Sequence, residues 1–414
     1  MAPNPATHET IRRLLDERRD DQIDFLAELI RNPADNPPGD CAPHAERTAA
    51  LLADRGLVAE RHQVPDELCR ENGMLSATNL VVRERFGDGP VVALNAHGDA
   101  VPAGDGWTVD AYGGVIRDGK MYGRGAAVSK SDFATYAYAL MALKATGARL
   151  AGTVELHLTY DEEVSGFIGP KWILHSGISK PDYAICAGFT YFVATGHNGC
   201  LQLEVEIAGR SAHAAMPDSG VDALVAATTV LDALYVHRES YRTVASTIPG
   251  IDSPTLVVGR IEGGESTNVV PGTVTLRLDR RIIPDEDPAE AEATLRALIN
   301  ATIAEIPGVA CRITRLLLAE PLVRVDGTDR LATIVAGHAS DVIGETIATF
   351  GVPLFTDARH YSTAGIPTVM YGAGPRTVLE SNVHKADEHV DLGDLAKATE
   401  VVARALAELL RDET

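Results

Sequence analysis

PVVALNAHGDAVP, residues Pro90 to Pro102, joins an apolar run to a histidine and a carboxylate two positions apart. The run reads as a buried strand, and alternation along a strand puts His97 and Asp99 on the same side at its end. An imidazole in that place can bind a metal while the carboxylate orients a neighbour from behind. A loop histidine hydrogen-bonded to an aspartate would have the same three letters, so the surroundings of the stretch have to decide.

NLVVRERF (79–86) before it and GTVELHLTYDEE (152–163) after it also read as strands. IRRLLDERRDDQIDFLAELI (11–30), HAERTAALLADRG (44–56) and FATYAYALMALKA (133–145) carry apolar residues at helical spacing. Strands alternating with helices predict an α/β domain with a mixed, mostly parallel sheet. From Gly199 the texture changes to alternating strands, LQLEVEIAG, TLVVGRIEGG and TVTLRLDRRI, interleaved with two helical stretches. After LLLAEPLV the first texture returns with GIPTVMYGAG and a closing helix. The expected organisation is a discontinuous catalytic domain, 1–198 and 319–414, around an inserted α+β domain of ferredoxin-like type at 199–318.

The 414 residues, 45% of them hydrophobic, suffice for two cores. A formal charge of -21 would repel phosphate, which excludes nucleic acid and anionic membrane surfaces as expected partners and leaves a small-molecule substrate. Five cysteines without CxxC spacing argue for a reducing compartment. No stretch has the apolar run of a signal peptide or a membrane span, so the expected location is the cytoplasm.

Three further stretches carry chemistry. In LTYDEEVSG, Glu162 and Glu163 stand at the carboxyl end of a predicted strand, the edge at which open α/β sheets bind ligands. Adjacent carboxylates repel, and they share a crevice when a cation neutralises one and the other serves as a base. SNVHKADEHV presents His384 before the closing helix, and GRGAAVSKSD, Gly123 to Asp132, leads into the helix at 133–145.

The order HGD, GRG, DEE, SAHAAMP, GGESTNVVPG and a late NxHxxDE resembles the acetylornithine deacetylase, succinyl-diaminopimelate desuccinylase and carboxypeptidase G family of metallopeptidases, over essentially the whole chain. The resemblance implies a catalytic domain interrupted by a lid that also forms a homodimer. It implies His97, Glu163 and His384 as metal ligands, Glu162 as general base and Asp99 as its orienting partner. In the lid it implies that His213 reaches the partner subunit's site to steady an oxyanion, and that Asn268 and Arg280 grip the substrate. Arg281 beside Arg280 competes for that last role.

Two carboxylates of the family pattern are missing. The aspartate that bridges two zinc ions falls at Val128, and a Gly-Glu-Pro-Thr turn reads Ala187-Gly188-Phe189-Thr190. Without the bridge two close dications repel, so the expectation is one Zn²⁺ or Mn²⁺ per subunit. Asp132 is a substitute ligand one helical turn on, set against a plain helix-dipole role. Arg359 is the candidate for a substrate carboxylate, and His360 and His197 are candidate substrate contacts or replacement ligands. The expected activity is metal-dependent hydrolysis of a C–N bond in a small carboxylate-bearing substrate. The alternatives are a non-peptide aminohydrolase or ureidohydrolase, and a silent small-molecule-binding descendant.

Overall fold

The alanine-rich segment after GRGAAVS folds as a helix, Lys130–Ala145, in which every residue from Lys130 to Leu143 is buried. A helix buried on all sides belongs inside a domain, and the small side chains of this one admit close neighbours. It packs against the helices Arg19–Arg31 and Leu392–Leu409. The computed structural model describes residues 5–377 and 379–412. The chain divides into two compact units. One runs to Thr195 and includes Arg324–Phe350 and the chain from Thr356 on; the other comprises Gly196–Val323 and Gly351–Phe355.

The first unit is built on an eight-stranded sheet. Its strands lie in the order Ala59–Gln63, Thr78–Arg85, Thr153–Thr159, Val91–His97, Tyr183–Cys186, Thr368–Met370, Val193–His197 and Thr349–Val352. The central pairs are parallel: Val91–His97 lies between Thr153–Thr159 and Tyr183–Cys186, and the latter pairs with Thr368–Met370. Antiparallel pairs flank this centre. The fold is therefore α/β with a mixed sheet, as the strand–helix alternation predicts. The stretch 11–30 forms two helices, Pro5–Glu17 and Arg19–Arg31, because Asp16 to Gln22 offers no apolar side chain to continue a buried stripe.

The second unit has a four-stranded antiparallel sheet in the order Thr255–Gly263, Thr273–Ile282, Gly199–Ala208 and Ala310–Ala319. The helices Ala223–Ser240 and Pro288–Ala304 pack on it. Asp222 and Asp287 cap them, each accepting two amides of the first turn. Burial alternates along Thr273–Ile282, so one face meets the helices and the other does not. Its core, with Leu203, Val205, Leu276, Leu295 and Ile299 among others, is separate from that of the first unit. Among the described residues no helix is long and apolar enough to cross a membrane.

Candidate active site

Parallel pairing fixes the location of the site. His97 is the last residue of its strand and lies in register with Thr159, so the turn carrying Glu162 and Glu163 begins beside it. His97 N donates to Ser129 Oγ at 2.8 Å, and that hydroxyl donates back to His97 O at 2.9 Å. This reciprocal pair of hydrogen bonds holds the start of the helix Lys130–Ala145, and with it Val128, next to the strand end.

His97, Glu162 and Glu163 each offer a ligand atom within 4.8 Å of the others. His97 Nε2 is 3.9 Å from Glu162 Oε2, and His384 Nε2 is 3.3 Å from Glu163 Oε1. Asp99 is fully buried and accepts from Asn36 Nδ2 at 3.0 Å and from the Glu162 and Glu163 amides at 3.4 and 3.2 Å. His97 Nδ1 lies 3.0 Å from the Asp99 carbonyl oxygen and 3.3 Å from its Oδ1, which leaves Nε2 directed at the glutamates.

Charge is concentrated here. Burial pushes the Glu162 carboxyl up to about 7, with Glu163 and Asp99 adding to the shift and His97 opposing it. Burial disfavours protonated His97, but Glu162, Asp99 and Glu163 outweigh that and hold its pKa well above the ordinary value. The Glu163 carboxylate raises His384 in the same way. The His97 imidazole and the two glutamate carboxylates of the compact group, with the His384 imidazole against Glu163, are a fitting donor set for one Zn²⁺ or Mn²⁺ ion. Val128 contributes only an apolar side chain, and at Gly188 a Cβ would lie 2.6 Å from Tyr371 N, so neither position can supply a ligand.

Several expected residues stand elsewhere. Asp132 lies outside the compact group: its Oδ1 accepts from Ala373 N at 2.7 Å, and burial lifts its carboxyl to about 7. That corrects its reading as a substitute ligand. Arg359 is wholly buried, donating to Thr356 O at 2.7 Å and to Ser165 O. His360 Nε2 donates to the same Ser165 oxygen at 3.0 Å. Both brace the turn after Glu163, where Ser165 has φ 128°, and neither presents a surface to a substrate carboxylate.

In the second unit, His213 and Asn268 come together on a two-stranded ribbon, Ala212–His213 with Val269–Val270. Both are exposed. Arg280 is buried, paired with Glu286 at 2.5 Å and stacked on Tyr241, so it is an internal brace. Arg281 is less buried, pairs with Asp279 at 2.8 Å and lies over Phe355, which makes it the better candidate for the lid arginine. His197 is buried with Nδ1 2.8 Å from the Asn198 carbonyl oxygen, away from any open surface.

Sequence reasoning passed over Glu388. Its buried carboxylate pairs with Arg124 at 2.6 Å and accepts the Ala127 amide at 3.0 Å. It thereby ties the loop of His384 to the loop of Val128. The NxHxxDE spacing ended on this residue, and the GRG motif, Gly123-Arg124-Gly125, held its partner.

Residues 93–408 match peptidase family M20/M25/M40. The chain is 30% identical over 374 residues to an acetylornithine deacetylase of Myxococcus xanthus, covering 88% of this chain and 91% of that protein. It is 28% identical over 406 residues to a succinyl-diaminopimelate desuccinylase of Rhodospirillum centenum, covering 93% and 96%. Its fold is similar to aminopeptidase PepT of Bacillus cereus, with TM-score 0.74, 21% identity and coverage of 94% and 98%. It is also similar to the di-peptidase Dug1p of Saccharomyces cerevisiae, with TM-score 0.75, 15% identity and coverage of 98% and 99%. The family match spans most of the chain and includes every residue of the compact group, so the chain belongs to peptidase family M20/M25/M40 and is a hydrolase acting on carbon–nitrogen bonds.

Proposed function

We propose that the protein hydrolyses the amide bond of a small, carboxylate-bearing N-acyl substrate, with one zinc or manganese ion per subunit and Glu162 as general base. The observation that carries this reading is the compact group of His97, Glu162 and Glu163 with His384 at 3.3 Å from Glu163. His97, Glu163 and His384 would hold the ion, which supplies Lewis-acid polarisation of the scissile carbonyl.

The chain's own residues do the rest. Glu162, raised by burial toward neutrality, takes a proton from the attacking water and returns it to the leaving nitrogen. Asp99 fixes the backbone of both glutamates and the ring of His97. The partner subunit's His213 steadies the oxyanion in a homodimer, and Asn268 with Arg281 holds the acyl or carboxylate end. The substrate class is supported by the names of the two relatives, an acetylornithine deacetylase and a succinyl-diaminopimelate desuccinylase.

The test is to assay the Zn²⁺- and Mn²⁺-loaded protein against a set of N-acetyl and N-succinyl amino acids, before and after EDTA. Hydrolysis that chelation abolishes and metal restores is expected. No turnover of any of them with either metal would overturn the reading.

A further inference from the structure

Gly188 occupies the slot of the missing turn carboxylate, and the main chain around it is closed. A Cβ there would lie 2.6 Å from Tyr371 N and 2.7 Å from Met370 C. Both are backbone atoms, so no rotamer change relieves the contact. Tyr371 N donates to Cys186 O at 2.9 Å, Gly374 N to Gly188 O at 2.9 Å, and Thr190 N to Gly374 O at 3.0 Å. These bonds zip 186–190 onto 370–374. Gly374 shares the tight approach, since a Cβ on it would lie 2.3 Å from Gly188 O.

Asp132 fastens the zip. Its carboxylate accepts the Ala373 amide at 2.7 Å. A Cβ on Gly372 would lie 2.1 Å from Asp132 Oδ1, so the carboxylate reaches this place only because residue 372 has no side chain.

We propose that Asp132 is a positioning residue which, by holding the Ala373 amide and with it the 370–374 segment against 186–190, seals with main chain the room that a metal-binding side chain at position 188 would need, and so limits the crevice to one divalent cation. A buried carboxylate at 132 and a missing one at 188 are then two halves of one arrangement. The cation count rests on the proposed metallohydrolase reading, whereas the closure is a property of the metal-free chain.

Thermal unfolding in EDTA tests the closure without any metal. Gly188→Ala and Asp132→Ser should each lower the midpoint by several degrees, and the double variant should lose clearly less than the sum, because a released segment can yield to the added methyl group. Asp132→Asn keeps an acceptor for the Ala373 amide and should not lower the midpoint. Metal analysis after dialysis against Zn²⁺ supplies the readout that a merely structural role would leave unmoved. One equivalent is expected for the natural chain and more than one for Asp132→Ser with Gly188→Glu. Additive losses in EDTA would overturn the closure, and two equivalents on the natural chain would overturn its limit on cations. A metal-free natural chain whose midpoints are still coupled would support the closure and refute the metallohydrolase reading instead.

Discussion

Asp99 Oδ2 accepts the main-chain N–H of Glu163 at 3.2 Å, while Oδ1 takes that of Glu162 at 3.4 Å. A carboxylate from the HGD motif thus anchors the backbone of the DEE motif, and a third donor, Asn36 Nδ2, lies 3.0 Å from Oδ2. Donors therefore face both oxygens. Asp99→Asn has a single acceptor oxygen, so its NH₂ must confront a donor whichever way the amide turns. The expected cost is about 1–3 kcal/mol in stability, with a fall in kcat; unchanged values of both on purified protein would contradict this account of Asp99.

The adjacent glutamates should separate cleanly by assay. Glu162→Gln is expected to lose about a hundred- to ten-thousand-fold in kcat and keep its metal. Glu163→Gln and His384→Ala should instead lose metal on dialysis, since these two side chains face each other at 3.3 Å across the proposed ion position. Near-normal turnover by the Glu162 variant would refute its role as base.

Much of this site was legible because its residues sit at strand ends, where alternation and the edge of a parallel sheet fix direction. His97, Glu162 and Glu163 form the compact group, Asp99 lies against the His97 ring, and His384 lies 3.3 Å from Glu163. Arg359 and Arg280 were misread because an arginine in a loop or at a strand end gives no sign in sequence of whether an acceptor waits inside. Arg359 found the Ser165 carbonyl, and Arg280 found Glu286 six residues on. The closure at Gly188 was illegible for another reason: it depends on Tyr371 and Gly374, far away in sequence, approaching to within hydrogen-bond distance. The break at Arg18 within the first helical stretch was readable in principle from its run of charged residues.

Arg359 should behave as a brace. Its guanidinium is buried against Ser165 and Thr356, so Arg359→Met leaves the Ser165 carbonyl with His360 alone, strips the Thr356 carbonyl of this donor and loosens the turn carrying both glutamates. The expected result is a loss of about 1.5–3 kcal/mol in stability and a drop in kcat with KM little changed. A large rise in KM at unchanged stability would return Arg359 to the role of substrate ligand.

The proposed homodimer has a physical motive in the second unit. Val225 and Val236 on the helix Ala223–Ser240 are 62% and 74% exposed, and Val257 and Ile261 on the edge strand Thr255–Gly263 are about half exposed. Exposed apolar side chains beside an unpaired strand edge mark an interaction surface. Light scattering should give the mass of two chains, and Val236→Glu with Ile261→Lys should give one chain and lower activity, through loss of the partner subunit's His213. A fully active monomer of the natural protein would end the proposal.

Asp132 also makes a prediction about pH. Burial raises its carboxyl from the usual carboxylate range to about 7 in the folded chain. Between about pH 4 and pH 7 the folded state then holds a proton that the unfolded state has released. Stability changes with pH in proportion to protons bound in the unfolded state minus those bound in the folded state, and that difference is negative here. The contribution of Asp132 is therefore fully present below the unfolded pKa and is lost as pH rises through the folded one. Asp132→Asn is neutral at every pH and keeps an acceptor for the Ala373 amide, so its unfolding midpoint in EDTA should fall less steeply across this window than that of the natural chain. The two curves should approach each other toward acid, where Asp132 is itself neutral, and separate above pH 7 in favour of the variant. Parallel curves throughout would show that Asp132 is ionised in the folded protein across this window and would overturn the prediction.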